Sequence, residues 1–295
     1  MAEILDRTID FLLDQTGVNS RQVHSLNLTN YFTVVQLDDR SVGACWSDYQ
    51  LATQELAEIE RSVRSVLFHD SLALNLTRSR AAFDGVARSI RAAVANALSA
   101  PILSTGEDSF FVGKPHFPKE LFAEIENAVV VGFGGLLDYL IRNTKTRRIH
   151  VLDLEYPLRR ESMETKVTRY RIVRPDLRLS ISSGQAEDYL READFVAITG
   201  STLCNNTLER LLLAAHTCKT VILQGQSASI HPKVLFEWGI DLVVTTLKPP
   251  ELVLAAASDR AGQALRRFLE DGLPWIYLRP KPLNCGDLTS SAKAV

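Results

Sequence analysis

The sequence predicts an α/β protein: a Rossmann-like, doubly wound and mostly parallel sheet preceded by a smaller α+β domain. From about residue 118 onward, short runs of Val, Ile and Leu alternate with helical segments. That alternation is typical of a parallel sheet covered on both faces. Before that point the pattern is a helix, a hairpin and then helices. The length of 295 residues suits two domains, which we place at 1–115 and 116–295.

The first domain is predicted to hold a helix, a β-hairpin and two further helices. Apolar residues at helical spacing indicate the helices, and β-branched and aromatic residues around the turn Asp38-Asp39-Arg40 indicate the hairpin. In chain order, these elements are expected at Glu3–Gln15, Tyr31–Leu37, Ser41–Trp46, Gln50–Phe68 and Phe83–Ser99. The stretch Pro101–Pro118 is rich in glycine and proline and is predicted to be a linker.

The second domain is predicted to contain six parallel strands. They are expected at Ala128–Gly132, Ile149–Leu154, Leu177–Ser182, Asp194–Thr199, Thr220–Gln224 and Asp241–Thr245, with helices at Gly135–Arg142, Glu187–Glu192 and Thr207–His216. In a doubly wound sheet of order 3-2-1-4-5-6, ligands bind beyond the carboxyl ends of strands one and four, where the strand order reverses. The loops after those two strands are therefore the first place to look for function.

Composition excludes several classes of protein. The sequence has 33 Lys and Arg against 35 Asp and Glu, so it lacks the basic excess of a nucleic-acid-binding protein. The longest apolar stretch, Val129–Leu137, is about half of what a membrane span needs. Four acidic residues among the first fifteen argue against a secretory signal. We expect a cytoplasmic protein with no nucleic-acid or membrane partner, and a homodimer, because twofold association is the commonest oligomer.

The loop after the first strand is glycine-rich. Gly132, Phe133, Gly134 and Gly135 match two thirds of the dinucleotide-binding motif, with Leu137 at the third glycine position. Glycines at this place let backbone N–H groups approach an anionic ligand at the start of a helix. Asp153, 21 residues after Gly132, stands where such folds place a ribose-binding carboxylate. The alternatives are a tight turn without a ligand, and a capping role for Asp153.

Two polar loops follow the fourth and fifth strands. In the first, Asn206 and Glu209 have the spacing of a capping box, which leaves other hydroxyl and amide groups available for a ligand. The second is small and polar and is expected to flank the same crevice. The predicted ligand-binding residues of these loops are Thr199, Gly200, Ser201, Thr202, Asn205, Gln226 and Ser227. A purely local turn is the alternative.

Candidates for metal binding and catalysis are few. Four cysteines lie apart, without the spacing of a zinc site, so reduced thiols are expected. Cys45 and Cys218 are interpreted as small buried apolar residues. Cys204 is expected to be the accessible thiol because it lies on a polar loop, and it is a weak metal candidate together with His231. The sequence identifies no general base, so the catalytic residues stay unknown.

The segment T-G-S-T-L-C-N-N-T resembles the family named for a putative heavy-metal chelation domain, and the resemblance covers nearly the whole chain. The matching residues are Thr199, Gly200, Ser201, Thr202, Asn205, Thr207, Gly132, Ala93–Ala97, Leu235, Phe236 and Gly239. It implies an enolase-N-terminal-like α+β domain followed by a Rossmann-like domain, with an interdomain cleft and a role in metal homeostasis. Gln226 departs from the family's usual proline, and the loop after the first strand is richer in glycine, which indicates a different ligand.

Three functions follow as hypotheses. The first is an enzyme that binds a polar or nucleotide-containing ligand in the cleft. S-adenosylmethionine or another adenosyl compound would serve as cofactor in a transfer or biosynthetic reaction, and the resemblance points to a metal-chelating metabolite. The second is a non-catalytic protein that binds a heavy metal or a metal chelate, with Asp153, Cys204 and His231 as available ligands. The third is a partner protein whose cleft has no ligand.

Overall fold

The computed structural model describes residues 4–15, 20–67, 84–106, 110–113, 119–122, 124–183, 186–258, 263, 265, 268 and 273–281. These residues form a three-stranded antiparallel sheet and an eight-stranded, mostly parallel sheet. The predicted fold class is therefore confirmed. No helix of these ranges is long and apolar enough to cross a bilayer.

The N-terminal part builds the antiparallel sheet around two long helices. Its elements are α1 (Ile4–Leu13), β1 (Val23–Leu28), β2 (Phe32–Leu37), β3 (Val42–Trp46), α2 (Thr53–Leu67) and α3 (Asp84–Thr105). The predicted hairpin is β2 and β3, with Val34 opposite Ala44. The first strand, β1, was not predicted because its sequence, VHSLNL, interrupts the apolar residues with polar ones. It pairs antiparallel with β2.

The predicted linker is wrong in two places. Helix α3 continues through Pro101 to Thr105, and Phe110–Gly113 forms strand β4. β4 pairs with a strand near the other end of the chain, β11 (Trp275–Pro280), with Val112 opposite Leu278. Glycine and proline made this stretch resemble a linker, whereas the partner that orders β4 lies far away in sequence.

The large sheet has the predicted strand order with an antiparallel extension. Its strands are β5 (Asn127–Val131), β6 (Arg148–Leu152), β7 (Arg178–Ser182), β8 (Phe195–Thr199), β9 (Thr220–Gln224) and β10 (Leu242–Thr246), followed by β11. The order β4-β11-β10-β9-β8-β5-β6-β7 contains the expected 3-2-1-4-5-6 arrangement. β11 and β4 pair antiparallel at the β10 edge. They were not predicted.

In the described part of the chain, helices follow most strands of the large sheet: α4 (Gly135–Asn143), α5 (Tyr156–Val173), α6 (Ala186–Arg191), α7 (Leu208–Ala214) and α8 (Lys233–Glu237). Helix α9 (Glu251–Ser258) comes after β10 and packs against β1 and β2 of the antiparallel sheet. Short 3₁₀ turns follow β8 and β9, at Gly200–Leu203 and Gln226–Ala228. These turns open the two polar loops described above.

The N-terminal part packs directly on those loops. The Trp46 backbone N–H donates to Ser227 Oγ at 2.8 Å, and Arg88 Nε donates to the Cys204 carbonyl at 2.8 Å. A single apolar core runs from α1 and α3 into the residues around β8 and β9. The antiparallel sheet and α3 therefore cover part of the carboxyl edge of the parallel sheet.

Candidate functional site

Three loops meet at the carboxyl ends of β5, β8 and β9. Gly132 has a φ of +86°, and a Cβ there would lie 2.9 Å from Thr199 Cγ2. A Cβ on Gly200 would lie 2.7 Å from the Ala228 nitrogen, and one on Gly225 would lie 3.3 Å from the Gly200 nitrogen. Glycine is needed here because the loops approach each other more closely than side chains allow. The expected meeting of the glycine-rich loop with the hydroxyl-rich loop is therefore present.

Gly134, unlike Gly132, has no neighbouring residues packed against it. It caps α4 in an extended conformation with φ −128° and ψ −175°, it is exposed, and no heavy atom lies within 4 Å of its Cβ position. The backbone at the start of α4 thus borders open space, whereas Gly132 two residues earlier is tightly enclosed. Gly135 is the first residue of the helix.

Alanine substitutions should separate these two glycines. Gly132→Ala is expected to destabilise the protein by roughly 1–3 kcal/mol, because the positive φ and the Thr199 side chain both oppose a Cβ. Gly134→Ala should cost less, about 1 kcal/mol or below, because the new methyl group meets no neighbour and alanine is only a poorer helix cap than glycine. Urea unfolding followed by circular dichroism measures both. Equal effects at the two positions would contradict this description of the loop.

Asp153 shapes the glycine-rich loop. One carboxylate oxygen accepts the Phe133 N–H at 2.9 Å and the other accepts the Glu155 N–H at 2.8 Å. The Phe133 ring in turn lies 5.2 Å from the Lys166 ammonium. Both carboxylate oxygens of Asp153 therefore already have a local structural role. Ribose binding stays a prediction that would use the lone pairs left on those oxygens.

The hydroxyl-rich loop uses several of its polar groups internally. Thr202 is buried, and its hydroxyl donates to the Thr199 carbonyl at 2.7 Å. The Thr207 hydroxyl donates to Asn205 Oδ1 at 2.7 Å. Ser201 is half-buried, and its hydroxyl donates to Thr199 Oγ1 at 3.2 Å. Ser201, Thr202 and Asn205 were all predicted to bind a ligand, and Ser201 is engaged by the longest of these bonds.

The predicted capping box is wrong. Helix α7 starts at Leu208 with Thr207 at its cap, and Asn206 takes the left-handed conformation one residue earlier, with a φ of 58°. Glu209 Oε1 accepts the backbone N–H of Ile4 at 2.6 Å. The carboxylate therefore caps the first helix of the chain rather than its own helix, which sequence spacing cannot reveal.

The third loop is held from both sides. Ser227 is buried and accepts the Trp46 N–H, so its hydroxyl joins this loop to the antiparallel sheet. Gln226 is half-buried, and its Oε1 accepts the Thr246 hydroxyl. Both were predicted to touch a ligand. The structure gives each a partner within the protein, and ligand contact stays a prediction.

The metal candidates lie in different settings. His231 is buried between two aromatic rings, with ring centroids 4.6 Å from Phe11 and 5.4 Å from Phe110. Its Nδ1 accepts the Lys233 N–H at 3.3 Å. Cys204 is fully buried, so the expectation of an accessible thiol is wrong. Among the described residues, no group of three or more His, Cys, Asp and Glu is arranged to hold a metal ion.

Two fully buried cysteines come from different parts of the chain. Cys45 lies on β3, where its thiol donates to the Ser89 carbonyl at 2.9 Å, and Cys204 lies in the loop after β8. Both residues are 0% exposed. Burial, followed by the interaction with Cys204, raises the pKa of the Cys45 thiol well above its usual range.

Sequence reasoning missed a buried lysine. Lys248 is 6% exposed, and its Nζ donates to the Gln226 carbonyl, the Thr246 carbonyl and Ser229 Oγ. Burial lowers the pKa of Lys248 to about 7, while Cys45 acts weakly in the opposite direction. Within the described residues, no carboxylate forms an ion pair with Lys248.

Comparison with known proteins identifies relatives of unknown function. A sequence model of the DUF364 family, described as "Putative heavy-metal chelation", matches residues 120–267. A DUF364 protein from Pyrococcus horikoshii is 13% identical with a TM-score of 0.63, over 94% of this chain and 98% of that chain. One from Desulfitobacterium hafniense DCB-2 is 16% identical with a TM-score of 0.61, over 94% and 98%. These two structures support the fold alone. No curated protein matches the sequence.

Proposed function

The chain belongs to the DUF364 family, described as "Putative heavy-metal chelation", and from this premise we propose that it binds a small polar or nucleotide-containing molecule at the carboxyl edge of its parallel sheet. One observation carries the proposal. Gly132 lets the loop after β5 press against Thr199, while Gly134 leaves the start of α4 beside open space. In a doubly wound sheet this is the position at which ligands bind.

The chemistry of this crevice suits an anionic group. The first N–H groups of α4 have no carbonyl partners within their own helix, and the helix dipole favours negative charge there. Ser201 contributes a half-buried hydroxyl next to Thr199, the residue that lies against Gly132. A phosphate, a carboxylate or the polar part of an adenosyl compound would match these donors. The covering antiparallel sheet would shield the ligand from water.

The proposed role is binding, with catalysis as a further hypothesis. Hydroxyl and amide groups such as those of Ser201 and Asn205 orient a ligand, whereas both oxygens of the Asp153 carboxylate already accept backbone hydrogen bonds. An enzymatic role with an adenosyl cofactor requires that S-adenosylmethionine be among the ligands that bind. Thermal unfolding in the presence of S-adenosylmethionine therefore tests the enzymatic hypothesis too.

Thermal unfolding with a ligand panel tests the proposal. S-adenosylmethionine, NAD, ATP and pyrophosphate are each added at millimolar concentration, and a ligand present at 100 times its Kd should stabilise the protein by about 2.7 kcal/mol. Gly134→Leu fills the open space without backbone strain, so it should abolish the stabilisation. The unliganded variant should melt slightly below the unliganded parent protein, because leucine is a poorer helix cap than glycine.

The matched control is Thr217→Leu. Thr217 is exposed and precedes β9, at the opposite edge of the sheet from the crevice. This variant should respond to the ligand as the parent protein does. If no compound raises the melting temperature, or if Gly134→Leu responds like Thr217→Leu, the crevice is not the binding site for this class of ligand.

A further inference from the structure

A histidine lies between two serines at the β7 edge of the large sheet. His150 is the one polar residue among the four buried residues of β6, 149–152. Its Nδ1 lies 2.6 Å from Ser180 Oγ, and its Nε2 lies 2.8 Å from Ser182 Oγ. Both serines belong to the neighbouring strand β7. Each nitrogen of the imidazole is therefore hydrogen-bonded to a serine hydroxyl.

The parallel pairing of β6 with β7 produces this arrangement. His150 lies opposite Ser180, and Leu152 lies opposite Ser182. Side chains two residues apart on a strand share one face of the sheet, so the imidazole and both hydroxyls lie on the same face. Tyr189 of α6 stacks on the imidazole there, with ring centroids 3.5 Å apart and planes 7° apart. The stacking and the two hydrogen bonds together fix the orientation of the imidazole.

The two hydrogen bonds of His150 have opposite directions. A neutral imidazole has one N–H donor and one acceptor nitrogen. One serine therefore accepts a proton from the ring, and the other donates its hydroxyl proton to it. Burial lowers the pKa of His150 below its usual value, so the neutral, basic form prevails at neutral pH. One hydroxyl of the cluster is thus hydrogen-bonded to a group that can act as a general base.

Ser182 is the serine at the carboxyl end of its strand. Its carbonyl accepts the Asp153 N–H at 3.0 Å, which places it at the edge where doubly wound sheets carry their ligands. Ser182 is half-buried, and Ser180 is exposed two residues earlier. The Tyr189 ring is 44% exposed, and within the described sheets β7 has β6 as its one neighbouring strand. The cluster therefore lies at the surface, where a small molecule can reach it.

We propose that Ser182 is a nucleophile and His150 its general base, in a site that accepts acyl groups from small activated carboxylic esters. Ser180 is the positioning residue, because it accepts the Nδ1 proton and so keeps Nε2 as the acceptor for the Ser182 hydroxyl. A nucleophile within hydrogen-bond reach of a base that a third group orients is the arrangement that covalent catalysis uses. This role goes beyond ligand binding at the crevice.

The reaction needs the ester and water alone. Ser182 Oγ forms a bond to the carbonyl carbon of the ester while His150 Nε2 takes the hydroxyl proton. The bond from that carbon to the leaving oxygen breaks, and the leaving group takes the proton from His150. Water then attacks the acyl-serine with His150 again as base, which releases a carboxylic acid and restores Ser182.

This site is separate from the one proposed at the start of α4. The nucleophile and its base lie on β6 and β7, whereas Gly134 follows β5. Gly134→Leu should abolish the response to the ligand panel and leave the reactivity of Ser182 unchanged. Failure of one proposal can thus be distinguished from failure of the other.

Covalent labelling of the full-length protein tests the site. A fluorophosphonate reacts with an activated serine by forming an oxygen–phosphorus bond and releasing fluoride, while the serine proton goes to the base. Intact-mass spectrometry should show one phosphonate per chain, and peptide mapping should place it on Ser182. p-Nitrophenyl acetate should give a burst of p-nitrophenolate, with the acetyl group on the same serine.

Substitutions assign the roles. Ser182→Ala and His150→Gln should each lower the labelling rate about 100-fold or more. Ser183→Ala is the matched control, since Ser183 is exposed directly after Ser182, and it should be labelled like the parent protein. Ser180→Ala should slow labelling about 10-fold or more, because the imidazole loses the partner that fixes its tautomer. Ser180→Thr should restore the rate by returning the hydroxyl.

Three results would overturn the proposal. They are a folded parent protein without phosphonate, a phosphonate mapped to a residue other than Ser182, and equal labelling rates for the parent protein and folded His150→Gln. Circular dichroism shows whether each variant is folded. If a variant does not fold, the parent protein decides by itself: its labelling rate in buffer should exceed that in concentrated urea about 100-fold or more, and equal rates would contradict an activated serine.

Discussion

Replacing Gly43 with alanine is expected to destabilise the protein by roughly 3 kcal/mol or more, enough to prevent stable folding in a marginally stable domain. Gly43 lies on β3 opposite Val35. A Cβ there would lie 1.9 Å from the Ala93 carbonyl oxygen and 2.4 Å from the Ala97 nitrogen, both backbone atoms of α3. A helix backbone cannot rotate away as a side chain can, so the strand and the helix must separate.

Chemical unfolding and the yield of folded protein measure the Gly43 effect. Gly134→Ala serves as the control, since it adds the same methyl group where nothing lies within 4 Å. A loss below about 1 kcal/mol for Gly43→Ala would mean that β3 and α3 can move apart at little cost.

Replacing Lys248 with methionine is expected to change how stability depends on pH. The pKa of Lys248 is about 7 in the folded protein and about 10.4 in an unfolded chain. Between these values the unfolded state binds more protons, so the free energy of unfolding rises with pH. The cost of the buried charge is present in full below pH 7 and disappears above about pH 10.4. Methionine has no such charge, so the variant should lack this rise.

The informative quantity is the difference in the free energy of unfolding between the parent protein and Lys248→Met. From pH 7 to pH 9.5 the parent protein should gain up to about 1.4 kcal/mol per pH unit relative to Lys248→Met. Urea unfolding at intervals of half a pH unit measures this difference. The series stops at pH 9.5 because Tyr49 ionises in the unfolded chain at about pH 10, whereas burial raises its pKa in the folded protein to about 12. Lys219→Met, at an exposed lysine that pairs with Asp194, is the control. Parallel curves for parent and Lys248→Met would contradict the expected pKa.

Much of the large sheet could be predicted because its strands are short apolar runs separated by helices. The strand order then placed the loops after β5 and β8 side by side without any further information. The antiparallel strands β4 and β11 could not be predicted in this way, because each depends on a partner that is distant in sequence.

The candidate site was predictable in position and less so in chemistry. Gly132 and Thr199 meet as the topology requires. The uses of individual side chains depend on tertiary packing, as when Ser227 accepts a hydrogen bond from Trp46 or Glu209 from Ile4. Sequence periodicity carries no information about which buried groups from two separate sheets become neighbours.

The pairing of β4 with β11 has a consequence for synthesis of the protein on the ribosome. In the described sheets β4 has β11 as its one neighbouring strand, and β11 separates it from β10. A nascent chain therefore carries Phe110–Gly113 without its hydrogen-bonding partner until Pro280 has been translated. Pairing across such a long separation in sequence is intrinsically slow. During that interval the edge of β10 is open as well, so the growing polypeptide exposes two unpaired strands to other chains and to chaperones.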